Sequence, residues 1–287
     1  MTAVYQRELR SYFTSVTGPV FIAFIMLFVG IYFIVYNVVS GVPNFGYALY
    51  GVSFIFMLSV PILTMRSFSE EQKNRTDQLL LTSPASPAAI VLGKYLAMLT
   101  VMAIVCAICC VCPLIIKAYG SSGLASDYAC ILAFFLLGAA YISIGMFLSA
   151  LTENQIVAAV TSIGVFFVIY YIRDISGFIG SSALESLVAF GAASVVLGLA
   201  VFAFTKSAYT GFIVGILGCI AVLGVYLRAP GMLEDAFPRM LAGLSLIYPF
   251  SGFVFRLFDW SAVVLYVSVS VFFTLLTVLV LRRRSWA

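Results

Sequence analysis

The side chains able to do chemistry in this sequence are few and unevenly placed. Arg66, Glu70, Glu71, Lys73, Arg75 and Asp77 crowd into residues 66–84, RSFSEEQKNRTDQLLLTSP, of a chain with only 15 Lys and Arg and 11 Asp and Glu in all. Interleaved carboxylates and cations suit ion pairing with another charged surface, and Leu79, Leu80 and Leu81 behind them suit burial against an apolar one. There is no histidine, so imidazole acid–base catalysis and imidazole metal ligation are excluded. Cys106, Cys109, Cys110 and Cys112 have a spacing that in a soluble protein suggests a metal or redox site. Here they lie in an apolar run with nothing nearby to favour thiolates, and they read as small packing residues, as do Cys130 and Cys219. Arg282, Arg283 and Arg284 have no wider basic face around them. They read as a topology signal at a membrane exit, not as a nucleic-acid contact.

The elements that hold these residues follow from composition. The sequence is 63% hydrophobic and 9% charged, against roughly 25% charged residues in a typical soluble domain. This is an integral membrane protein. Apolar runs at 18–39, 47–65, 91–116, 129–150, 156–175, 186–204, 208–227 and 261–281 are each close to the roughly 20 residues that a hydrocarbon core about 30 Å thick requires. They predict an all-α polytopic bundle of about eight transmembrane helices. No small-residue cleavage pattern follows the run 19–39, which reads as a retained anchor. An uncompensated charge at mid-membrane costs roughly 2.5 to 3.5 kcal/mol, so residues 66–86 form an aqueous loop. Arg7, Arg10, Arg66, Lys73, Arg75, Lys94, Lys206 and the three terminal arginines fall on one side. Lys117, Arg173, Arg228, Arg239 and Arg256 fall on the other. The richer side is cytoplasmic by the positive-inside rule, which puts both termini and the charged loop inside a cell (plasma) membrane.

Two further segments are distinctive. In residues 1–17, Tyr5, Leu9, Tyr12, Phe13 and Val16 recur at helical spacing with Arg7, Glu8 and Arg10 on the other side, as in a helix lying in the interface; the alternative is a frayed tail. Within an extracellular loop over 228–260, residues 247–260 (IYPFSGFVFRLFDW) read as an aromatic interfacial or re-entrant piece. Ser69 followed by Gln72 has the pattern of a capping box, predicting a helix that starts there and stops at Ser83-Pro84. Thr152 and Gln155 have the same pattern ahead of the fifth span. The three leucines pack either on a partner or back on the chain's own membrane domain.

The residues Glu70-Glu71, the nearby basic pair and Thr76-Asp77-Gln78-Leu79-Leu80-Leu81-Thr82-Ser83-Pro84 resemble the first cytoplasmic loop of type-2 ABC exporter permeases, particularly the branch related to gliding-motility and copper-processing permeases. Residues 147–159, FLSALTENQIVAA, are similar to that family's link between the fourth and fifth spans. Residues 244–260, followed by a last span and a basic tail, form a third match. The resemblance implies a six-helix permease core in a single transmembrane domain, 1–287, whose charged loop carries a coupling helix seated in a groove of a separate ATPase subunit. The docking residues it implies are Glu70, Glu71, Lys73, Arg75, Thr76, Asp77, Leu79, Leu80 and Leu81. Thr152, Glu153, Asn154 and Gln155 become a second contact, and a second permease copy or a related permease becomes the dimer partner. Two features depart from the pattern. Arg75 stands where many relatives have a small residue, and residues 186–227 read as an added helical hairpin.

The missing motifs agree with that expectation. Gly93-Lys94 lacks both the glycine five positions earlier and the following hydroxyl residue of a phosphate loop, so ATP and Mg belong to a partner and this chain binds no cofactor of its own. No predicted span carries a charge near its middle, as ion-coupled transporters generally do. The expected function is the permease subunit of an ATP-driven exporter, not an enzyme. A membrane scaffold that anchors a complex without transporting anything is the alternative.

Overall fold

The computed structural model describes residues 2–75, 86–120, 123–178, 182–205, 208–228 and 230–284, and every regular element among them is helical. In chain order they are α1 (Thr2–Thr14), α2 (Thr17–Tyr32) with a π-helical extension (Phe33–Val39), α3 (Gly46–Ser53), α4 (Phe56–Thr64), α5 (Arg66–Lys73), α6 (Pro87–Cys109), α7 (Val111–Tyr119), α8 (Leu124–Leu151), α9 (Gln155–Phe178), α10 (Ala183–Thr205), α11 (Ala208–Arg228), α12 (Ala236–Gly243), α13 (Ile247–Val254) and α14 (Trp260–Arg284). They divide into two compact units, Met1–Val168 with Leu246–Ala287, and Ile169–Ser245.

Among the described residues six helices are long and apolar enough to cross a membrane: Thr17–Val39, Pro87–Tyr119, Leu124–Leu151, Gln155–Phe178, Gly211–Arg228 and Trp260–Arg283. A seventh crossing comes from Gly46–Ser53 and Phe56–Lys73 taken as one bent span, and Ala183–Leu199 is a shorter apolar helix. The chain is a multi-pass membrane protein. Two of the runs expected to be single helices are interrupted, and in each a proline lies one to two turns beyond the interruption. The run 47–65 bends by 62° between α3 and α4. Hydrogen bonds at the joint tighten to three-residue spacing, with the Ile55 amide on the Val52 carbonyl at 2.8 Å and the Leu58 amide on the Ile55 carbonyl at 3.0 Å. One turn on, Pro61 lies inside α4, where it donates nothing and its ring displaces the Met57 carbonyl. The run 91–116 breaks at Cys110, between α6 and α7, just ahead of Pro113, whose ring clashes with the carbonyl four residues earlier.

The first unit is organised around α8, whose apolar window is 72% buried. An aromatic chain lies along it. The Phe56 and Phe134 rings stack with centroids 4.5 Å apart, Phe134 meets Phe250 at 6.2 Å, and Tyr141 meets Phe166 edge-on at 4.8 Å. Such pairs add about 0.5 to 1.5 kcal/mol each beyond the area they bury. Residues 247–260 form a short helix followed by a turn. An eight-residue helix, α13, buries Ile247, Phe250, Phe253 and Val254. The chain then turns through Arg256 at φ 65° into α14. That end of the unit is held by polar contacts from three segments. Asn44 Nδ2 donates to the Val254 carbonyl at 2.8 Å, the Phe45 amide donates to Asp127 Oδ1 at 3.2 Å, and Arg256 Nη2 donates to the Pro43 carbonyl at 2.6 Å.

In the second unit, α10 and α11 form a hairpin whose backbones touch. A Cβ on Gly211 would lie 2.6 Å from the Gly198 carbonyl oxygen, so only glycine permits the approach. Ser182 caps α10 reciprocally with Glu185: the Glu185 amide donates to Ser182 Oγ at 3.2 Å and the Ser182 amide to Glu185 Oε2 at 3.1 Å. Phe190 of α10 meets Phe237 of α12 edge-on at 4.9 Å.

Candidate functional site

The charged loop enters the structure as a continuation of its own span. Helix continues over Phe56–Lys73 with only Met65 between α4 and α5, so α5 starts before Ser69 and the capping box expected there does not form. A helix already under way has no orphan amides at that point, and the Ser69 hydroxyl turns back to donate to the Met65 carbonyl. Gln72 points away from Ser69. Its Nε2 donates to the Ala150 carbonyl at 3.2 Å, while the Phe68 and Ser69 amides donate to Ser149 Oγ at 3.2 and 3.3 Å. The end of α8 therefore holds one side of α5. Beyond Lys73 the chain leaves the helix through Asn74 and through Arg75 at φ 54°, a left-handed conformation that stops an L-residue helix.

The other side of α5 meets α1 and α6 through charge. Glu8 on α1 and Glu71 on α5 both face Lys94 of α6, whose Nζ lies 3.1 Å from Glu8 Oε1 and 2.9 Å from Glu71 Oε1. The same ammonium donates to the Ser67 carbonyl at 2.8 Å and sits 5.2 Å from the centre of the Phe68 ring. Its three N–H donors are all taken, which is what a lysine side chain 2% exposed requires. Arg7 closes the group from the solvent side, with Nη2 at 2.7 Å from Glu8 and 3.1 Å from Glu71. Gly93 makes the geometry possible. A Cβ there would lie 3.0 Å from Val4 Cγ1 and 3.3 Å from the Tyr5 amide nitrogen, so its absence lets α1 cross close enough for Glu8 to reach Lys94. Tyr5 Oη also meets Thr100 Oγ1 at 3.0 Å. Helix α1 thus turns Tyr5, Glu8, Leu9 and buried Tyr12 towards the unit and leaves Phe13 and Val16 exposed. The expected division into an apolar face and a charged one is corrected: Glu8 is drawn to the inner side because Lys94 is there.

Glu70 and Glu71, both beyond the apolar stretch of their span, are consequently different carboxylates. Glu70 is gripped by Arg66 through Nε at 2.7 Å and Nη2 at 2.9 Å, and the pairing holds it below the usual carboxylate range. Burial pushes Glu71 up, against the opposing pull of Lys94 and Arg7. A cleft of about 300 Å³ opens among Arg7, Glu8, Arg66, Glu70, Glu71 and Lys94.

The second predicted stretch is adjacent. Ala150, which Gln72 holds, is two residues from Thr152, so the end of α5 and the link into α9 share one edge of the unit. The cap of α9 differs from the one expected. Asn154, not Thr152, caps it: the Ile156 amide donates to Asn154 Oδ1 at 2.9 Å, and Thr152 Oγ1 receives the Asn154 amide at 3.2 Å. Gln155 is already the first helical residue, two positions too early to reach back as a box partner. Glu153 and Asn154 are exposed, as are Lys73 and Arg75. Thr76, Asp77, Leu79, Leu80 and Leu81 lie outside the described residues.

Sequence reasoning missed the ionic group at Glu8, Glu71 and Lys94. Its signal is a lone lysine near the start of an apolar helix, which by itself reads only as a topology charge and an incomplete phosphate loop. Among the described residues no set of three His, Cys, Asp or Glu side chains could hold a metal ion, and Cys106, Cys109 and Cys130 are free thiols buried in the apolar interior.

A family model described as ABC-2 family transporter protein matches residues 40–187, just over half of the 287 residues. The matched stretch contains α3 to α9, with both the charged loop and the Thr152-to-Gln155 link. No curated protein matches the chain. On this match, and on its set of long apolar helices, the chain belongs to the ABC-2 transporter family as a membrane component of that transporter class.

Proposed function

We propose that the chain is the membrane-spanning permease subunit of an ATP-driven exporter, and that the charged segment 66–86 and the link Thr152, Glu153, Asn154 and Gln155 together dock a separate ATPase subunit on the cytoplasmic side. The observation that carries this is the hydrogen bond from Gln72 to Ala150. It sets side by side two charged stretches, far apart in sequence, that the resemblance assigned to one partner. Lys73, Arg75 and Glu153 point outward there, available to a complementary charged groove. Exposed ion pairs contribute at most about 1 kcal/mol each, so Leu79, Leu80 and Leu81 supply the apolar anchor. ATP and Mg are bound by the partner. Closure of its two copies pushes α5, and through the 62° joint between α3 and α4 that push reaches the bundle of one permease against its dimer mate.

The test is copurification with the ATPase followed by ATP hydrolysis and transport assays in lipid. Leu80→Asp is expected to abolish copurification, because a carboxylate cannot be buried unpaired in an apolar pocket. Wild-type binding by this variant would remove the docking assignment. Docking that persists with no ATP-dependent flux would instead favour a scaffold.

A further inference from the structure

From its place on α6, Lys94 carries a charged head that reaches both α1 and α5, and its surroundings are those of a junction. It contacts Glu8 of α1, Glu71 and the Ser67 carbonyl of α5, and the Phe68 ring, from its own place on α6. Apolar side chains could join three helices with a smaller desolvation penalty, since replacing buried ion pairs by well-packed hydrophobes is often neutral or stabilising. An ionic junction adds something that apolar contact lacks. It fixes one register, because a one-turn slip of α1 or α5 would strand a buried charge. The charges also balance locally, Lys94 and Arg7 against Glu8 and Glu71.

We propose that Lys94 is a positioning residue that locks α1, α5 and α6 into one rigid lever, so that displacement of the docking segment moves the amino-terminal helix and the third span together. This rests on the docking reading for its consequence but not for its geometry. On the far side of α5, Ser149 and Ala150 contribute only neutral hydrogen bonds, which are weaker than charge-assisted ones. Helix α8 packs on α5 more extensively, but the charge-assisted hold on α5 from its neighbours is the one on the Lys94 side. Helix α1 has few other polar ties to the unit: Arg7 meets Glu71, Tyr5 meets Thr100, and Tyr12 Oη donates to the Leu63 carbonyl at 3.4 Å. Its packing on α6 remains without the ammonium, so removing the charge should loosen it.

The experiment uses the full chain in lipid nanodiscs, with Lys94→Arg, Lys94→Met and the double variant Lys94→Met/Glu8→Gln. Amide hydrogen exchange is followed over residues 2–14 and 66–73. In Lys94→Met, exchange should rise about tenfold or more in both segments together, the signature of one cooperative unit opening. Lys94→Arg, which keeps the charge, should lie between it and wild type. The double variant removes one charge of each sign, so its melting temperature should recover while α1 and α5 exchange independently. Unchanged exchange over 2–14 in Lys94→Met would overturn the lock, as would a rise in one segment alone. With the ATPase added, the double variant should copurify as wild type does yet lose the stimulation of hydrolysis by the permease. Loss of binding together with stimulation would reduce Lys94 to a structural role and overturn the proposal. If wild type itself does not copurify, the docking reading fails, and hydrogen exchange alone still decides whether the three helices are locked.

Discussion

Buried charge in this molecule is tolerated where each charged atom has a partner, and Lys94 and Asp127 sit at opposite ends of that rule. Lys94 satisfies every donor it has. Asp127 is fully buried and accepts the Phe45 amide through Oδ1, yet Oδ2 has no hydrogen-bond partner among the described residues. It stands in the first turn of α8, where the helix macrodipole favours a negative charge. Its work is to hold the Asn44–Phe45 corner. Asp127→Ala should destabilise the protein by about 1 to 3 kcal/mol, because the Phe45 amide is left buried without an acceptor. Asp127→Asn keeps the Oδ1 acceptor and should stay within about 1 kcal/mol of wild type. Thermal unfolding in detergent separates the two. A large loss in both variants would mean that the charge, not the acceptor, matters.

At the scale of elements, helix existence was easy to read and helix ends were not. All the long spans follow from runs of apolar residues, since only a helix satisfies its backbone in hydrocarbon. The caps at Ser69 and Thr152 follow from local patterns, and local patterns cannot know whether helix has already begun upstream. Helix α5 had begun at Arg66, so Ser69 turned to its own backbone and Gln72 to α8. At α9 the helix begins later than expected, and Asn154 takes the cap. Asn154→Ala should cost about 1 kcal/mol, whereas Thr152→Ala, which removes only a contact to a residue outside the helix, should cost less. Hydrogen exchange at the amides of the first turn of α9 checks the order. Pro61 and Pro113 lie beyond the interruptions near residues 54 and 110, but a proline in a span predicts a kink only in general location. The 62° bend that swings α5 against α8 is set by what the helix packs on.

At the scale of the whole molecule, two units are built by different means. The first is filled with large aromatic side chains around α8, and the second closes its hairpin through glycine contact between Gly198 and Gly211. Gly211→Leu should therefore open the hairpin and raise protease susceptibility and amide exchange across residues 183–228, while α8 and α14 keep their protection. Equal loosening throughout would mean that the two units are one cooperative body. The sequence by itself determined that the protein lives in a membrane, that it is helical, where its charge is concentrated and which family pattern that charge resembles, because hydrocarbon enforces length, polarity and backbone pairing on every span separately. Only the tertiary structure decided which charges answer one another. Glu8, Glu71 and Lys94 are distant in sequence, none belongs to a motif with the others, and each alone reads as an ordinary interfacial charge. They meet because Gly93 lets α1 cross α6 closely and because the broken span carries α5 across the same point. Packing, which no local pattern encodes, made that junction.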